Sequence, residues 1–280
     1  MAYNLFLFYL IIHYLMKLTL IITTYNSPQL LLLVIKSIKN QSIFPDEIII
    51  ADDGSTQETK DLVGAFKKNS NFNIIHKWQE DIGFRAARSR NNAITESTGD
   101  YIVLIDGDVI LHSSFLKDHL ENAEPGFYVQ GSRALLTKKL TKKSIDEKKI
   151  NFSLFTFGVM NKKNSIHSKF LSLIFSNKSN KLNGIKSCNM AFYRQDCINI
   201  NGFNNNFEGW GREDSEFVAR LMNSGLKRKN IRFNAIQFHL WHNENSRVSL
   251  ESNDEMLSEA INNRVQFCEN GINSIKKNES

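Results

Sequence analysis

The chain has 280 residues and a mass of 32.2 kDa, with 41% hydrophobic and 23% charged side chains. That balance excludes a disordered, collagen-like or coiled-coil chain and leaves room for one large α/β domain or two small ones. A formal net charge of +6 from 35 basic and 29 acidic residues is modest and dispersed, which suits an anionic small ligand or an acidic membrane surface and argues against nucleic acid. Three cysteines without a Cys-x-x-Cys, namely Cys188, Cys197 and Cys268, leave no disulfide framework or structural zinc site to expect, and a reducing cytoplasm is the simplest setting.

Residues 1–17 read as an apolar N-terminal extension or peripheral helix. Leu5 to Met16 is apolar or aromatic except at His13, shorter than the roughly 20 residues of a membrane span and lacking the leading charge and small cleavage-site residues of a secretory signal. Three readings stay open: a translated extension upstream of a natural start at Met16-Lys17, a peripheral or packing helix, and a true anchor. From Lys17 to Thr23 an unalternated β-branched run predicts a strand covered on both faces. It ends at Thr23-Thr24-Tyr25-Asn26-Ser27-Pro28, a helix-start signal. A helix over Gln29 to Asn40 follows, then a strand from Glu47 to Ala51 ending in Asp52-Asp53-Gly54-Ser55-Thr56. A helix around Thr59 to Lys67, a short strand at Asn73 to His76, a helix around Ala86 to Glu96 and a third apolar strand at Tyr101 to Ile105 complete the pattern. Such alternation predicts an α/β fold with a mostly parallel sheet, whose ligands collect at the C-terminal strand ends. The polar clusters sit at those ends.

Asp106-Gly107-Asp108 places two carboxylates around a glycine at such an end. Hard oxygen ligands of this kind suit Mg²⁺ or Mn²⁺ completed by substrate phosphates, whereas the plain alternative is a solvated turn. Arg85, Arg88 and Arg90 crowd the start of the helix at Ala86, against the helix dipole, as expected if an anion such as a diphosphate binds nearby; a solvated basic face is the alternative. Asn201 to Phe217 is a glycine- and asparagine-rich loop running into a helix. Trp210 between two glycines would make a sugar-stacking platform, and Glu213 or Asp214 could serve as a base or merely cap the helix. His239 and His242, three apart after an apolar run, become ligand candidates if they face the same cleft as a metal. Six lysines, Lys138, Lys139, Lys142, Lys143, Lys148 and Lys149, read as a solvated mobile face or as a flap near the site that attracts an acidic or membrane-bound acceptor. Beyond Ser249 the pattern is polar and helical, a packing helix with a frayed end.

Thr23 to Asn26, Ala51 to Thr56, Ala87 to Ile94 and Asp106-Gly107-Asp108 together resemble the nucleotide-sugar domain of family 2 glycosyltransferases, which have the GT-A fold. Asn201 to Asp214 is similar to the signature of the β-1,4-galactosyltransferase C-terminal domain, a combination also found in bacterial capsule and lipopolysaccharide transferases, including chondroitin-polymerase-like modules. The resemblance spans residues 18 to 245. It implies a nucleotide-sugar-binding half at 18–130, an acceptor-binding and catalytic half at 131–250, and a C-terminal helix and tail at 251–280.

By resemblance, Thr24, Tyr25 and Asn26 line the nucleotide, Asp53 binds uracil or ribose, and Arg85 and Arg90 sit near base or diphosphate. Asp106 and Asp108 match the metal-binding pair, Asp108 for direct coordination, with His242 favoured over His239 as a further ligand to Mn²⁺ or Mg²⁺. Trp210 and Gly211 would contact the acceptor, Asp214 matches the base, and Glu213 a sugar-binding acid. Cys188 and Asn189 would wall the donor sugar. Two departures stand out: Ser215 replaces a third acid, and Arg212 replaces a glycine.

The implied activity is metal-dependent, inverting transfer from a nucleotide sugar, UDP-linked by resemblance, to a saccharide or lipid-linked saccharide acceptor in surface polysaccharide or lipopolysaccharide synthesis. It would run in the cytoplasm, in peripheral contact with the inner face of the membrane. The alternatives are a catalytically inactive sugar- or nucleotide-binding module and a nucleotidyltransferase acting on sugar phosphates.

Overall fold

The computed structural model describes residues 16–243 and 246–279. The apolar segment at 1–15 and its three readings therefore lie outside the described residues. Among the described residues no helix is long and apolar enough to cross a membrane.

The first strand, β1 (Leu18–Thr24), is almost wholly buried, as its apolar run requires. Helix α1 (Pro28–Lys39) starts with proline in its first turn and buries Leu31, Val34, Ile35 and Ile38. Strand β2 (Glu47–Asp52), helix α2 (Gln57–Lys68), strand β3 (Ile74–Trp78), helix α3 (Ala86–Glu96) and strand β4 (Tyr101–Asp106) follow. β1 lies between β2 and β4, parallel to both, and β2 pairs in parallel with β3. The register sets Thr24 beside Asp52 and Thr23 beside Asp106, so the polar strand ends share one rim. Alternation along β1 supplies both faces: Leu18, Leu20 and Ile22 pack with α1, and Ile21 packs with Ala87, Ala93 and Ile94 of α3.

The chain then forms β5 (Val109–Leu111), α4 (Phe115–Asn122), β6 (Phe127–Gln130), β7 (Arg133–Leu136), α5 (Lys138–Glu147), β8 (Val159–Met160), a 3₁₀ turn at Lys162–Ser165, α6 (Lys169–Phe175), β9 (Asn177–Ser179), β10 (Asn189–Tyr193), α7 (Arg194–Asn199), α8 (Glu213–Asn223), β11 (Lys227–Asn230), β12 (Gln237–His239), α9 (Leu250–Asn262) and α10 (Ile272–Glu279). Eight strands form one sheet in the order β3-β2-β1-β4-β10-β6-β11-β9, and four form a second in the order β5-β12-β7-β8. β10 enters antiparallel beside β4 and β6, so strands from residues 18–130 and from 131–250 share the large sheet.

The lysine-rich stretch folds as α5, with Thr137 as its N-cap accepting from Leu140 N and with Leu140, Thr141 and Ser144 buried. Four of its lysines, Lys138, Lys139, Lys142 and Lys143, form the solvated face of this packed helix, with Lys138 over the Trp241 ring, and Lys148 and Lys149 follow its last turn. The C-terminal segment is two helices where one was expected: α9 packs on α8, and α10 packs on α3. All three cysteines are buried and unpaired.

Candidate active site

The rim begins where β1 and β2 end. Asn26, at φ 43°, joins the two loops: its backbone N–H donates to Ser55 Oγ at 2.9 Å, and its side-chain oxygen accepts from Thr56 N at 2.8 Å. Tyr25 is exposed, and its hydroxyl donates to Asp81 at 3.0 Å. Asp53 is buried, its two oxygens accepting from Gln79 Nε2 and from the backbone N–H of Arg85 at 2.8 Å. Burial still pushes its carboxyl above the usual range, with those two hydrogen bonds pulling the other way. Both Asp53 oxygens are therefore engaged in holding the loop that opens α3.

Of the three arginines, Arg90 faces the acids. Helix α3 lies close to the sheet because alanines line its contact face, and this buries the Arg90 side chain. Its Nη1 donates to Glu213 Oε1 at 2.9 Å, Nη2 lies 3.5 Å from Asp106 Oδ1, and Nε reaches Thr23 Oγ1 at 3.3 Å. Glu213 and Asp106 hold the guanidinium in its charged form against the cost of burial. Arg85 points elsewhere: its guanidinium donates to the Glu80 carbonyl and lines a groove with Arg88, Trp78 and Ile82.

Asp106 closes β4, and Asp108 immediately precedes β5. Between them, Gly107 is required for space: a Cβ there would stand 2.9 Å from Thr24 Oγ1 and 3.1 Å from Thr23 O. Asp108 accepts from Leu240 N through its carbonyl, and Val109 pairs with His239 across β5 and β12. That pairing delivers both histidines. His242 Nε2 lies 3.1 Å and His239 Nε2 3.6 Å from Asp108 Oδ2, and one ligand atom of each of the three residues falls within 4.8 Å of the others. Both His239 and His242 belong to the group.

The charges around the group bear on how it could hold a cation. Burial works against ionisation of Asp108, yet His242, His239 and Arg133 outweigh it and hold the carboxyl below its ordinary value. The hydrogen bond that its ring donates to Asp108 carries His242 up to about 9, whereas burial lowers His239. Asp106 goes up to about 6 through loss of hydration, with Arg90 opposing and Asp108 and Glu213 adding to the rise. Asp106 Oδ1 and Asp108 Oδ1 are enclosed and accept no hydrogen bond. With His242 Nδ1 at 2.7 Å from the Asn243 carbonyl, Nε2 is the ring nitrogen that faces Asp108 Oδ2, and a metal bound there would require its proton to leave. Mixed carboxylate and imidazole donors of this kind suit Mn²⁺ or Mg²⁺.

Asp214 lies in the first turn of α8, accepting from Ser187 N at 3.2 Å and from Ser215 Oγ at 3.1 Å. Burial and the neighbouring Glu213 push it up to about 6. Through Glu213, Arg90 and Asp106, the start of α8 is joined to the rim of β4. Trp210 is exposed beneath the Arg247 guanidinium, 5.5 Å from its ring centre, and the Gly211 carbonyl accepts from Asn253 of α9. Arg212, at the position where the resemblance expects glycine, has φ 76°, the left-handed conformation that glycine adopts freely.

Sequence reasoning missed Arg133. Opening β7 beside β12, it donates to Cys188 Sγ at 3.6 Å and lends positive charge to Asp106 and Asp108. No local motif marks it; only the pairing of β7 with the histidine strand does. Cys188 is buried, its thiol pushed up to about 12 by burial and by Asp106, which rules it out as a thiolate nucleophile at neutral pH.

The comparisons with known proteins match this architecture. The family model described as Glycosyl transferase family 2 matches residues 19–198, and one described as N-terminal domain of galactosyltransferase matches residues 170–243, the segment in which a galactosyltransferase signature is expected. Chondroitin synthase of Escherichia coli is 24% identical over 244 residues, 79% of this chain and 34% of that protein. Hyaluronan synthase of Pasteurella multocida is 26% identical over 76% of this chain and 24% of that protein. The O-antigen chain rhamnosyltransferase RfbN of Salmonella typhimurium is 40% identical over 100 residues, 35% of this chain and 30% of that protein. The chain thus spans about a third or less of the length of these relatives.

Among solved structures, GalNAc-T7 with UDP, GalNAc and Mn²⁺ superposes with a TM-score of 0.62 at 12% identity over 82% of this chain and 44% of that one. Residues 1–349 of S. aureus TarS give 0.61 at 15% over 91% and 66%. The mannosyltransferase PcManGT of Pyrobaculum calidifontis, in complex with GDP-Man and Mn²⁺, gives 0.55 at 17% over 80% and 57%. These likenesses show a shared fold, GT-A, and the family model covers well over half of the sequence: the chain belongs to glycosyl transferase family 2.

Proposed function

We propose that the chain is a metal-dependent, inverting glycosyltransferase that moves a sugar from a nucleotide-sugar donor, UDP-linked in our reading, to a saccharide or lipid-linked saccharide acceptor in surface polysaccharide or lipopolysaccharide synthesis. The observation that carries this reading is the Asp106–Arg90–Glu213 chain, which links the strand end beside the Asp108, His239 and His242 group to the helix turn that carries Asp214; in our reading these groups line one cleft. Family membership, neighbours solved with UDP or GDP-Man and Mn²⁺, and relatives named for polysaccharide synthesis support it.

Asp108, His242 and His239 would hold Mn²⁺ or Mg²⁺, with Asp106 alongside. When bound, such an ion acts as a Lewis acid that offsets the negative charge of the departing diphosphate. Asp214 takes the proton of the acceptor hydroxyl. The freed oxygen attacks the anomeric carbon as the bond to the diphosphate oxygen breaks on the opposite face, so a single displacement inverts the configuration, as in the inverting geometry of glycoside hydrolysis. Arg90 holds the Glu213 carboxylate in place for the sugar, and Arg133 adds positive potential on the diphosphate side. Thr24, Tyr25, Asn26 and Asp53 shape the nucleotide pocket, Asp53 by fixing the Gln79 to Arg85 loop. Trp210 and Gly211 receive the acceptor.

The test is to hold the purified chain with a panel of nucleotide sugars, with and without Mn²⁺, and to follow both melting temperature and nucleotide release. One nucleotide sugar should raise the melting point only with metal, since binding to the native state stabilises it, and should be slowly hydrolysed. Asp214→Asn should keep the stabilisation and lose the release. Metal-independent release, or no stabilisation by any donor, would overturn the reading.

A further inference from the structure

Between Glu147 and Asp196 the chain runs for 48 residues without an aspartate or glutamate while carrying eight lysines. This acid-free stretch also holds four highly exposed large apolar side chains: Phe157 is 89% exposed, Phe155 85%, Leu173 85% and Phe170 70%. In α6 the usual polarity is reversed. Phe170, Leu173 and Ile174, spaced to share one face, point outward, while Ser172 is buried and bonds to Ser176, which accepts from Arg232 N. A helix that buries serine and presents phenylalanine and leucine is unpartnered as it stands.

We infer that this segment is a membrane-docking face for a bilayer bearing anionic headgroups, with α6 as its principal anchor and the Phe155–Phe157 loop as a second. Charge complementarity selects this occupant. Lys162 and Lys163, on the 3₁₀ turn between the two apolar outcrops, and Lys181 beyond α6 are exposed. Arg232 is exposed next to the C-terminal end of α6. Basic side chains flanking protruding aromatic and aliphatic ones match the interface of an anionic leaflet, with phosphate at the level of the ammonium groups and acyl chains beneath. The segment is also tied to the cleft: the Asn164 side chain donates to the Arg133 carbonyl, and β8 pairs with β7. Docking there holds the cleft close to the lipid surface, which deepens the proposed use of a lipid-linked acceptor and rests on that reading for its purpose. The binding itself does not.

The experiment is flotation of the full chain with vesicles of phosphatidylcholine containing phosphatidylglycerol and with vesicles of phosphatidylcholine alone, no sugar donor being present. The chain should float with the anionic vesicles, bind the neutral ones at least about tenfold more weakly, and be released by salt. Phe170→Ser with Leu173→Ser should lower vesicle affinity by about tenfold or more while leaving the melting temperature and metal-dependent nucleotide release unchanged. Lys162→Glu with Lys163→Glu should weaken binding to the anionic vesicles alone. Unchanged binding by the α6 variant, equal binding to both vesicle types, or self-association through the same side chains without vesicle binding each overturns the inference. Because no donor enters the assay, such a failure leaves the glycosyl-transfer reading untouched.

Discussion

Arg90 holds Glu213 at 2.9 Å and Asp106 at 3.5 Å from inside the protein, so a single guanidinium ties the end of β4 to the first turn of α8. Its removal leaves neighbouring carboxylates without their buried counter-charge. Arg90→Ala should cost about 3–5 kcal/mol of stability in urea unfolding. Arg90→Lys should restore much of the fold but not the two-pronged geometry, so its kcat/KM should stay at least about tenfold below wild type. Wild-type turnover in Arg90→Lys would show that charge alone suffices there.

In the proposed mechanism Asp214, as the base, gives the activity a pH signature. Burial and Glu213 push it up to about 6, and a base works only when deprotonated. kcat/KM should therefore be flat above that value and fall about tenfold per pH unit below it. With Asp214→Asn, residual turnover should fall by about 10² or more and lose this acid limb, as steady-state rates across a buffer series will show. An acid limb that persists in the variant assigns the titration to another group.

The metal group predicts an order among ligands. Chelation should abolish nucleotide release, and added Mn²⁺ should restore it. Asp108→Asn should remove Mn²⁺-dependent stabilisation, while His242→Ala and His239→Ala should each weaken Mn²⁺ affinity by at least about tenfold, read from the melting temperature against metal concentration. Because readout is binding, not turnover, it separates the ligands from a residue needed only for chemistry.

Much of this arrangement was legible in the sequence. β1, β2 and β4 announce themselves through unalternated apolar runs, and Ala86 to Glu96 forms the helix expected of it. Asp106, Asp108 and Asp214 could be picked out because each stands at an element boundary beside glycine or a helix start. What could not be read is what long-range pairing decides. The partnership of β12 with both β5 and β7 makes His239 a partner of Asp108 and brings in Arg133, and no local pattern encodes it. Arg85 and Arg90 looked alike in the sequence, yet α3 turns one to a surface groove and buries the other. Lys138 to Lys149 read as a mobile face or a flap because charge dominates its composition; three buried positions pack Lys138–Glu147 as a helix.

Away from the cleft, Arg220 forms a buried two-pronged pair with Glu216 at 2.6 and 2.9 Å and donates to the carbonyls of Ile200 and Gly202. This pins α8, and with it Glu213 and Asp214, to the loop that precedes it. Glu216→Ala strands a buried guanidinium and should destabilise the chain by about 3–5 kcal/mol. Urea midpoints will check this, and a loss below about 1 kcal/mol means that the two carbonyls suffice.

Gly107 offers the sharpest test of how backbone packing sets the site. An alanine there adds one methyl group, which would meet Thr24 Oγ1 at 2.9 Å and Thr23 O at 3.1 Å. Thr23 O is also the acceptor for Gly107 N at 2.7 Å, so the strand cannot retreat without loosening that bond. The β4–β5 turn must shift, carrying Asp106 and Asp108 away from Arg90 and the histidines. Gly107→Ala should cost about 1–3 kcal/mol of stability and lower Mn²⁺ affinity by at least about tenfold, with both carboxylates still present. Ligand chemistry alone predicts no change in metal binding, so the titration separates a packing requirement from a donor requirement.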